Sequence, residues 1–248
     1  MELNRKKFIL QWADNSMILG QRLSEWCGHG PVLEQDIALT NIALDLIGEA
    51  RYLYQLLASE EGTSEDDYPF LRKESEFYNL LLVEQPNEDW AYTMIRQVIF
   101  DHFHYYFLSE VMKCADSQLA DIAAKSVKEV RYHLKFSSEW VIRLGDGTVE
   151  SNQRMQKAVD DMAKFAAEPY LPSEADVWMQ DFQQGPDLNN LKAIADKALY
   201  EIIEEAKLQW PDQQTIRKGG KEGRHSEHMG YLLATMQYMQ RAYPGLDW

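Results

Sequence analysis

The sequence predicts an all-α protein, and three observations support this. Apolar residues follow the three-and-four spacing of amphipathic helices in one segment after another. No segment shows the alternation of a half-buried strand, and glycine or proline follows most of the periodic segments. The first helix is predicted over residues 7–26 and ends at the glycine- and proline-rich stretch 27–31. The sequence therefore favours a bundle of helices joined by short loops.

The remaining helices are predicted in chain order. The second covers residues 36–59, with Asp36 as its N-cap, and the acidic stretch 60–69 follows as a loop. Residues 169–187 are interpreted as loop with at most a turn or two of helix in 174–182. The other helices are predicted over residues 74–83, 88–114, 117–144, 152–168, 188–209 and 225–242. Because no repeat or composition break interrupts this order, one domain over residues 1–248 is predicted.

Composition excludes several classes of protein. With 40 acidic and 25 basic residues the net charge is −15, which disfavours binding to nucleic acid or to an anionic membrane. The two cysteines provide no disulfide framework. The apolar run near residue 8 is too short for a signal peptide, and no segment is apolar enough to span a membrane. A cytoplasmic protein is predicted.

Four of the predicted helices carry acids and histidines on an otherwise apolar face. Residues three or four apart share one face of a helix, so these polar groups would converge at the centre of a bundle. Ferritin-like bundles build two-iron sites in this way. The residues are Asp45 and Glu49 on the second helix, Asp101 and His104 on the fourth, Glu129 on the fifth, and His225 and His228 on the last.

A count of ligands argues against a working two-iron centre. Such a centre takes one Glu from each of two helices and a Glu-x-x-His pair from each of two others. Here the last helix carries His225 where the acid should stand, and Asp101 is one methylene shorter than glutamate. The sequence favours a metal-free, hydrogen-bonded polar core whose acids and histidines are vestigial. Taken singly, Asp45 or Glu49 is more often a solvated helix position than a ligand, and His104 is more often a core histidine bonded to a neighbour.

One basic segment lies in the acidic chain. Lys218, Lys221 and Arg224 surround a group of glycines just before the predicted last helix. Cations, glycines and a helix N-terminus suit an anion such as phosphate, and a partner protein is a second option. The segment matches neither a P-loop nor a dinucleotide fingerprint. A solvated hinge is the alternative that needs no ligand.

Five stretches then show a resemblance to a known family. They are 23–29 (LSEWCGH), 36–51 (DIALTNIALDLIGEAR), 82–87 (LVEQPN), 128–136 (KEVRYHLKF) and 219–230 (GGKEGRHSEHMG). Together they resemble the PaaC family, the smaller ferritin-like subunits of the bacterial phenylacetyl-CoA epoxidase, a multicomponent di-iron oxygenase. The resemblance runs nearly end to end and is weakest between about residues 152 and 212. It implies a ferritin-like up-down helical bundle with additional flanking helices.

The resemblance also implies a function. In this family a PaaA-like catalytic sister subunit holds the di-iron centre and the substrate, and the PaaC-like chain is a structural partner. A non-catalytic subunit of a phenylacetyl-CoA 1,2-epoxidase complex is therefore expected, acting in aerobic phenylacetate degradation with no cofactor of its own. A further small subunit and a reductase complete the expected partners, and a homodimer is left open. The alternatives are a chain that is itself a di-iron oxygenase and a stand-alone ferritin-like homo-oligomeric binding protein.

Overall fold

The computed structural model describes residues 3–212 and 215–246, and within them the protein is all α-helical with no strand. This confirms the predicted all-α class. The described helices are α1 Leu3–Ser24, α2 Leu33–Glu61, α3 Asp67–Phe70, α4 Trp90–Val111, α5 Ser117–Gly145, α6 Val149–Met162, α7 Glu174–Gln183, α8 Leu188–Glu205, α9 Glu227–Met236 and α10 Tyr238–Ala242. None of them is long and apolar enough to cross a membrane.

The chain forms two compact units. The first comprises Met1–Pro86 and Lys218–Trp248, and the second comprises Asn87–Arg217. The prediction of one domain over residues 1–248 stays a prediction.

In the first unit, α1 and α2 form an antiparallel pair. Arg5 near the start of α1 bonds Glu60 near the end of α2 at 2.7 Å, and Lys6 bonds Glu61 at the same distance. At the other end Gly20 lies so close to α2 that a Cβ there would come within 2.8 Å of the Ile47 side chain. The pair encloses fully buried side chains, including those of Ile9, Ile18, Leu19, Leu23, Leu39, Ile42, Leu46 and Leu53.

In the second unit, α4 and α5 are the long pair, and α6 and α8 pack against them. Both long helices begin at an aspartate cap: Asp89 accepts from the Tyr92 amide, and Asp116 accepts from the amides of Gln118 and Leu119. Gly145 ends α5 where a Cβ would stand 2.3 Å from the Ala206 carbonyl oxygen. Only glycine fits this close approach of the two chain segments.

The segment 77–86 differs most from the prediction. The sequence predicts a helix over residues 74–83, but the structure has only a 3₁₀ turn, Glu74–Glu76, followed by irregular backbone. Side chains of α1 replace the missing helical hydrogen bonds here. Asp14 accepts from the Tyr78 amide at 2.8 Å and Asn15 from the Leu80 amide at 2.7 Å. These partners lie more than sixty residues away, so local periodicity cannot reveal them.

Three helix boundaries also correct the prediction. α2 begins at Leu33 with Val32 as N-cap, so Asp36 lies inside the helix, where its carboxylate accepts from the Gly30 amide. Residues 174–183 form a helix, α7, because Ser173 and its partner Asp176 make a capping box. The last helix begins at Glu227 and breaks at Gln237, so His225 precedes it.

The C-caps of α2 and α7 provide a matched pair of stability variants. Gly62 and Gln184 both adopt the left-handed conformation, at φ 69° and 54°. Since this conformation costs a non-glycine residue about 1 kcal/mol, we expect Gln184→Gly to raise the free energy of unfolding by about 0.5–1 kcal/mol. Gly62→Ala should lower it by a similar amount, because a Cβ there meets nothing within 4 Å. Urea unfolding measures both, and equal signs would contradict the assignment.

Candidate functional site

In the first unit, Glu49 is the buried carboxylate of the predicted cluster. It lies on the α1-facing side of α2, and one carboxylate oxygen, Oε1, accepts from Trp12 Nε1 at 2.9 Å and from Ser16 Oγ at 2.5 Å. Trp12 and Ser16 stand one turn apart on α1, which aims both donors at the same point. Asp45, one turn earlier on α2, is only half-buried. The structure therefore selects Glu49 from the two acids that the sequence left open.

In the second unit, Asp101 is completely buried on α4. Its Oδ1 accepts from Gln97 Nε2 and its Oδ2 from Ser137 Oγ, both at 2.7 Å. Burial raises the pKa of this carboxyl to about 6, although the charge of His133 and the bonds from Ser137 and Gln97 act in the opposite direction. His104 also lowers this pKa and is buried, so the predicted Asp101–His104 pair is brought together.

The raised pKa of Asp101 makes a testable prediction for pH dependence. Its folded value of about 6 lies above the ordinary 3.8, so the folded state holds the proton more tightly. The resulting stabilisation is present at low pH and is lost as the pH rises through 6. Between pH 5 and pH 7.5 the free energy of unfolding of the parent should fall, relative to Asp101→Asn, by about 1.4 kcal/mol. Urea unfolding at several pH values measures this difference.

A matched variant separates the titration from lost packing. Asp121→Asn changes an exposed carboxylate on α5. The difference in free energy of unfolding between the parent and Asp121→Asn should not change by a comparable amount over the same pH range. A constant difference between the parent and Asp101→Asn from pH 5 to 7.5 would contradict the assignment.

His225 has a different environment from the one predicted. The sequence places it with His228 on one face of the last helix, but it precedes α9, and its side chain is fully buried. Its Nδ1 lies 2.9 Å from Glu84 Oε2 and its Nε2 lies 3.0 Å from the Phe77 carbonyl oxygen. Both partners are acceptors, so both ring nitrogens must donate, which requires the imidazolium form. His225 thus holds the C-terminal segment on the segment 77–86.

Glu84 connects His225 to three further polar groups. Its other oxygen, Oε1, accepts from the Ser226 amide at 2.6 Å, and Asn79 Nδ2 lies 3.3 Å from Oε2. The carbonyl of Glu84 accepts two hydrogen bonds from Arg22. Arg22 also donates to the carbonyl of His228, whose side chain is half-buried. The network therefore fixes the start of α9 against α1.

The remaining cluster residue, Glu129, is half-buried on α5. Within residues 3–212 and 215–246 no group of three or more His, Cys, Asp or Glu residues is arranged to hold a metal ion. The prediction that this chain binds no metal stays a prediction.

The donor set does not fit the two-iron site of a ferritin-like bundle. One of its predicted members, His225, directs both nitrogens at Glu84 and Phe77. Both oxygens of Asp101 accept protein hydrogen bonds. Burial also favours the protonated form of its carboxyl, and a metal could bind there only after that proton had left. We therefore derive no metal chemistry from these residues.

The basic segment has specific backbone geometry. Gly219 and Gly223 adopt φ of 139° and 74°, and a Cβ on Gly223 would lie 2.3 Å from the Ser75 carbonyl oxygen. Arg224 is exposed and forms an ion pair with Glu222, which neutralises part of the predicted positive charge. Lys218 is exposed and Lys221 half-buried. An anion or partner contact at Lys218, Lys221 and Arg224 stays a prediction.

Several buried polar residues were not identified from the sequence. Five of them surround the predicted acids: Trp12, Ser16, Gln97, His133 and Ser137. The others belong to two ion pairs that periodicity did not indicate, Asp14 with Arg72 and Glu84 with His225. The sequence does contain a sign that Ser16 and Ser137 are buried. Each is a small polar residue on the apolar face of its helix.

The fold and these contacts define an all-α protein whose buried carboxylates are held by hydrogen bonds from neighbouring side chains. The chain belongs to the phenylacetic acid catabolic protein family, whose model matches residues 2–248. It is 45% identical over 242 residues to a protein of Escherichia coli (strain K12), the 1,2-phenylacetyl-CoA epoxidase component that is designated C. The match covers 97% of this chain and 98% of that protein. This confirms the resemblance that the sequence motifs indicated.

Proposed function

We propose that this chain is the non-catalytic, PaaC-like component of a phenylacetyl-CoA epoxidase complex and braces the catalytic sister subunit. The observation that carries the proposal is the 45% identity to the Escherichia coli epoxidase component over 97% of the chain. An alignment of that extent includes both compact units, so the chain has the whole length of the relative with which to form the same assembly.

The polar centres of the two units support the non-catalytic part of the proposal. Glu49 accepts from Trp12 and Ser16, and Asp101 accepts from Gln97 and Ser137. These contacts engage one oxygen of Glu49 and both oxygens of Asp101 with protein donors, which is a structural use of these side chains. A catalytic carboxylate ligand must instead direct its oxygens at a metal.

The partners follow from the proposed assembly. A PaaA-like sister subunit holds the di-iron centre and the substrate, and a reductase supplies electrons for the reaction with O2. A further small subunit belongs to the same complex. The complex is cytoplasmic, and the net charge of −15 on this chain disfavours binding to nucleic acid and anionic membranes.

Co-expression tests the proposal directly. A tagged version of this chain should retain its sister subunit through purification, and the purified pair, supplied with the further small subunit and the reductase, should convert phenylacetyl-CoA to its epoxide. The sister subunit without this chain should lose most of that activity. The double variant Glu49→Gln/Asp101→Asn should leave the turnover of the pair within about threefold of the parent, because neither residue meets substrate. A loss of turnover in a pair that still assembles would overturn the non-catalytic role.

A further inference from the structure

Residues 218–246, which we call the strap, join the first unit only after the chain has passed through the whole second unit. Helix α9 of the strap packs against α1 and against the turn Glu74–Glu76. Three large apolar side chains of the strap are buried: Met229, Leu232 and Leu233. Five others are at least 42% exposed: Tyr231, Tyr238, Met239, Tyr243 and Leu246. So little apolar burial offsets only part of the conformational entropy that is lost when a segment of this length is ordered.

Hydrogen bonds supply a second means of docking, and one cluster of them lies at the start of α9. Glu84 accepts from the His225 ring at 2.9 Å and from the Ser226 amide at 2.6 Å. Arg22 of α1 donates to the carbonyl of His228 at 3.2 Å. This first cluster joins the strap to α1 and to the segment 77–86.

A second cluster lies at the end of α9. The buried side chain of Gln237 donates through Nε2 to the carbonyls of Pro69 and Arg72, at 2.9 and 3.0 Å. Arg241 donates to the carbonyls of Leu71 and Arg72. All four of these bonds end on backbone carbonyls, so the second cluster carries no ion pair. The first cluster therefore contains the charged part of the docking contact.

The residues before the first cluster have the backbone of a hinge. Gly219 and Gly223 adopt φ of 139° and 74°, a conformation that side chains other than hydrogen rarely allow. They enclose one 3₁₀ turn, Gly220–Glu222, and a Cβ on Gly220 would lie 2.0 Å from the Asn79 carbonyl oxygen. A rotation at these glycines would release both clusters together and leave α1 and α2 in place.

We propose that the strap is a pH-sensitive conformational device that undocks from α1 and from residues 69–86 as one unit, with the buried ion pair of His225 and Glu84 as its latch. The latch holds while both ring nitrogens of His225 donate, because Glu84 and the Phe77 carbonyl are both acceptors. Neutral His225 leaves one of these acceptors without a donor, which favours the undocked strap. Undocking uncovers the apolar side chains of the strap. This inference does not depend on the proposed function, because it concerns the chain by itself.

The charged groups around His225 set the direction of the switch. Burial lowers the pKa of His225, but Glu84 and the more distant Glu74 favour the imidazolium, and the pKa is raised above 6.5. On α1, Arg22 faces the same cluster and donates to backbone carbonyls. The ionisable neighbours within the strap are the exposed Arg224, which pairs with Glu222, the exposed Glu227 and the half-buried His228. Docking is therefore complete at acidic pH and weakens as the pH rises through the folded pKa of His225.

Native-state hydrogen exchange of the full chain tests the proposal. At pH 6 the amides of Leu232 and Leu233 should share one protection factor, at least about tenfold below that of the Ile18 and Leu19 amides in α1. Between pH 6 and pH 8.5 the protection factor of the two strap amides should fall by at least about tenfold, as expected when a buried acceptor loses its donor. The α1 amides should remain the better protected at every pH.

Two histidine variants form a matched pair for this test. His225→Gln should give the strap amides a low protection factor that no longer changes with pH. His29→Gln changes an exposed histidine and should exchange like the parent. Equal protection of the strap and α1 amides in the parent would overturn the proposal, because the strap would then open only when the whole unit unfolds. A parent whose strap protection stays constant from pH 6 to pH 8.5 would also overturn it, and this result needs no variant.

Discussion

Asp14→Ala should lower the free energy of unfolding by about 3–5 kcal/mol, because it breaks a buried ion pair. Asp14 is completely buried, forms an ion pair with Arg72, and accepts from the Tyr54 hydroxyl at 2.7 Å and the Tyr78 amide at 2.8 Å. Removing the carboxylate leaves the largely buried guanidinium of Arg72 without its counter-charge. It also leaves the part-buried Tyr78 amide without its acceptor.

Urea unfolding followed by far-ultraviolet circular dichroism measures this loss, and hydrogen exchange of the Tyr78 amide reports it locally. The control is Lys113→Ala, which removes an exposed ion pair with Glu110 and should cost less than about 1 kcal/mol. If Asp14→Ala and Lys113→Ala cost the same, Asp14 does not hold the segment 77–86 as the structure indicates.

His225→Gln should lower the free energy of unfolding by about 2–4 kcal/mol at pH 6, and the loss should shrink as the pH rises. Burial lowers the pKa of His225, but the hydrogen bond and charge of Glu84 and the bond to the Phe77 carbonyl outweigh it, so the folded pKa is raised above 6.5. A histidine with a raised folded pKa stabilises fully below its unfolded value. That stabilisation is lost as the pH rises through the folded value.

The measurement is the difference in free energy of unfolding between the parent and His225→Gln from pH 5.5 to pH 9. The glutamine amide donates from one nitrogen only and carries no charge, so the variant should lack the slope that the parent shows. His29→Gln is the matched control on the exposed histidine of the turn between α1 and α2, and it should leave the slope unchanged. A pH-independent difference would show that His225 is neutral in the folded protein.

The sequence predicted well those helices whose apolar spacing and end signals lie within the helical segment itself. α1, α4 and α5 each span more than twenty residues of regular apolar spacing and end at glycine or at turn residues, and the structure follows the prediction within a few residues. The segment 77–86 could not be predicted in this way. Its amides bond Asp14 and Asn15, and its Glu84 bonds His225, a residue 141 positions later.

The candidate site was predicted only in part, because helical spacing is local whereas the contacts of the site join distant parts of the chain. Helical spacing predicted Asp101, His104 and one of Asp45 and Glu49 as buried polar positions, and the structure places Glu49, Asp101 and His104 in the interior. Spacing also grouped His225 with His228, but that inference assumed a helix that starts two residues too early. Which donor satisfies each carboxylate depends on packing between helices, which a single sequence does not specify.

The iron content of the purified chain tests whether its buried acids and histidines hold a metal. The protein is expressed with ample iron, alone and together with the proposed PaaA-like subunit, and each purified form is analysed for metal by mass spectrometry. We expect well below 0.1 iron per chain for this protein alone and about two irons per pair for the complex. Near two irons per chain in the protein purified alone would contradict it, because Glu49, Asp101 and their neighbours would then be metal ligands.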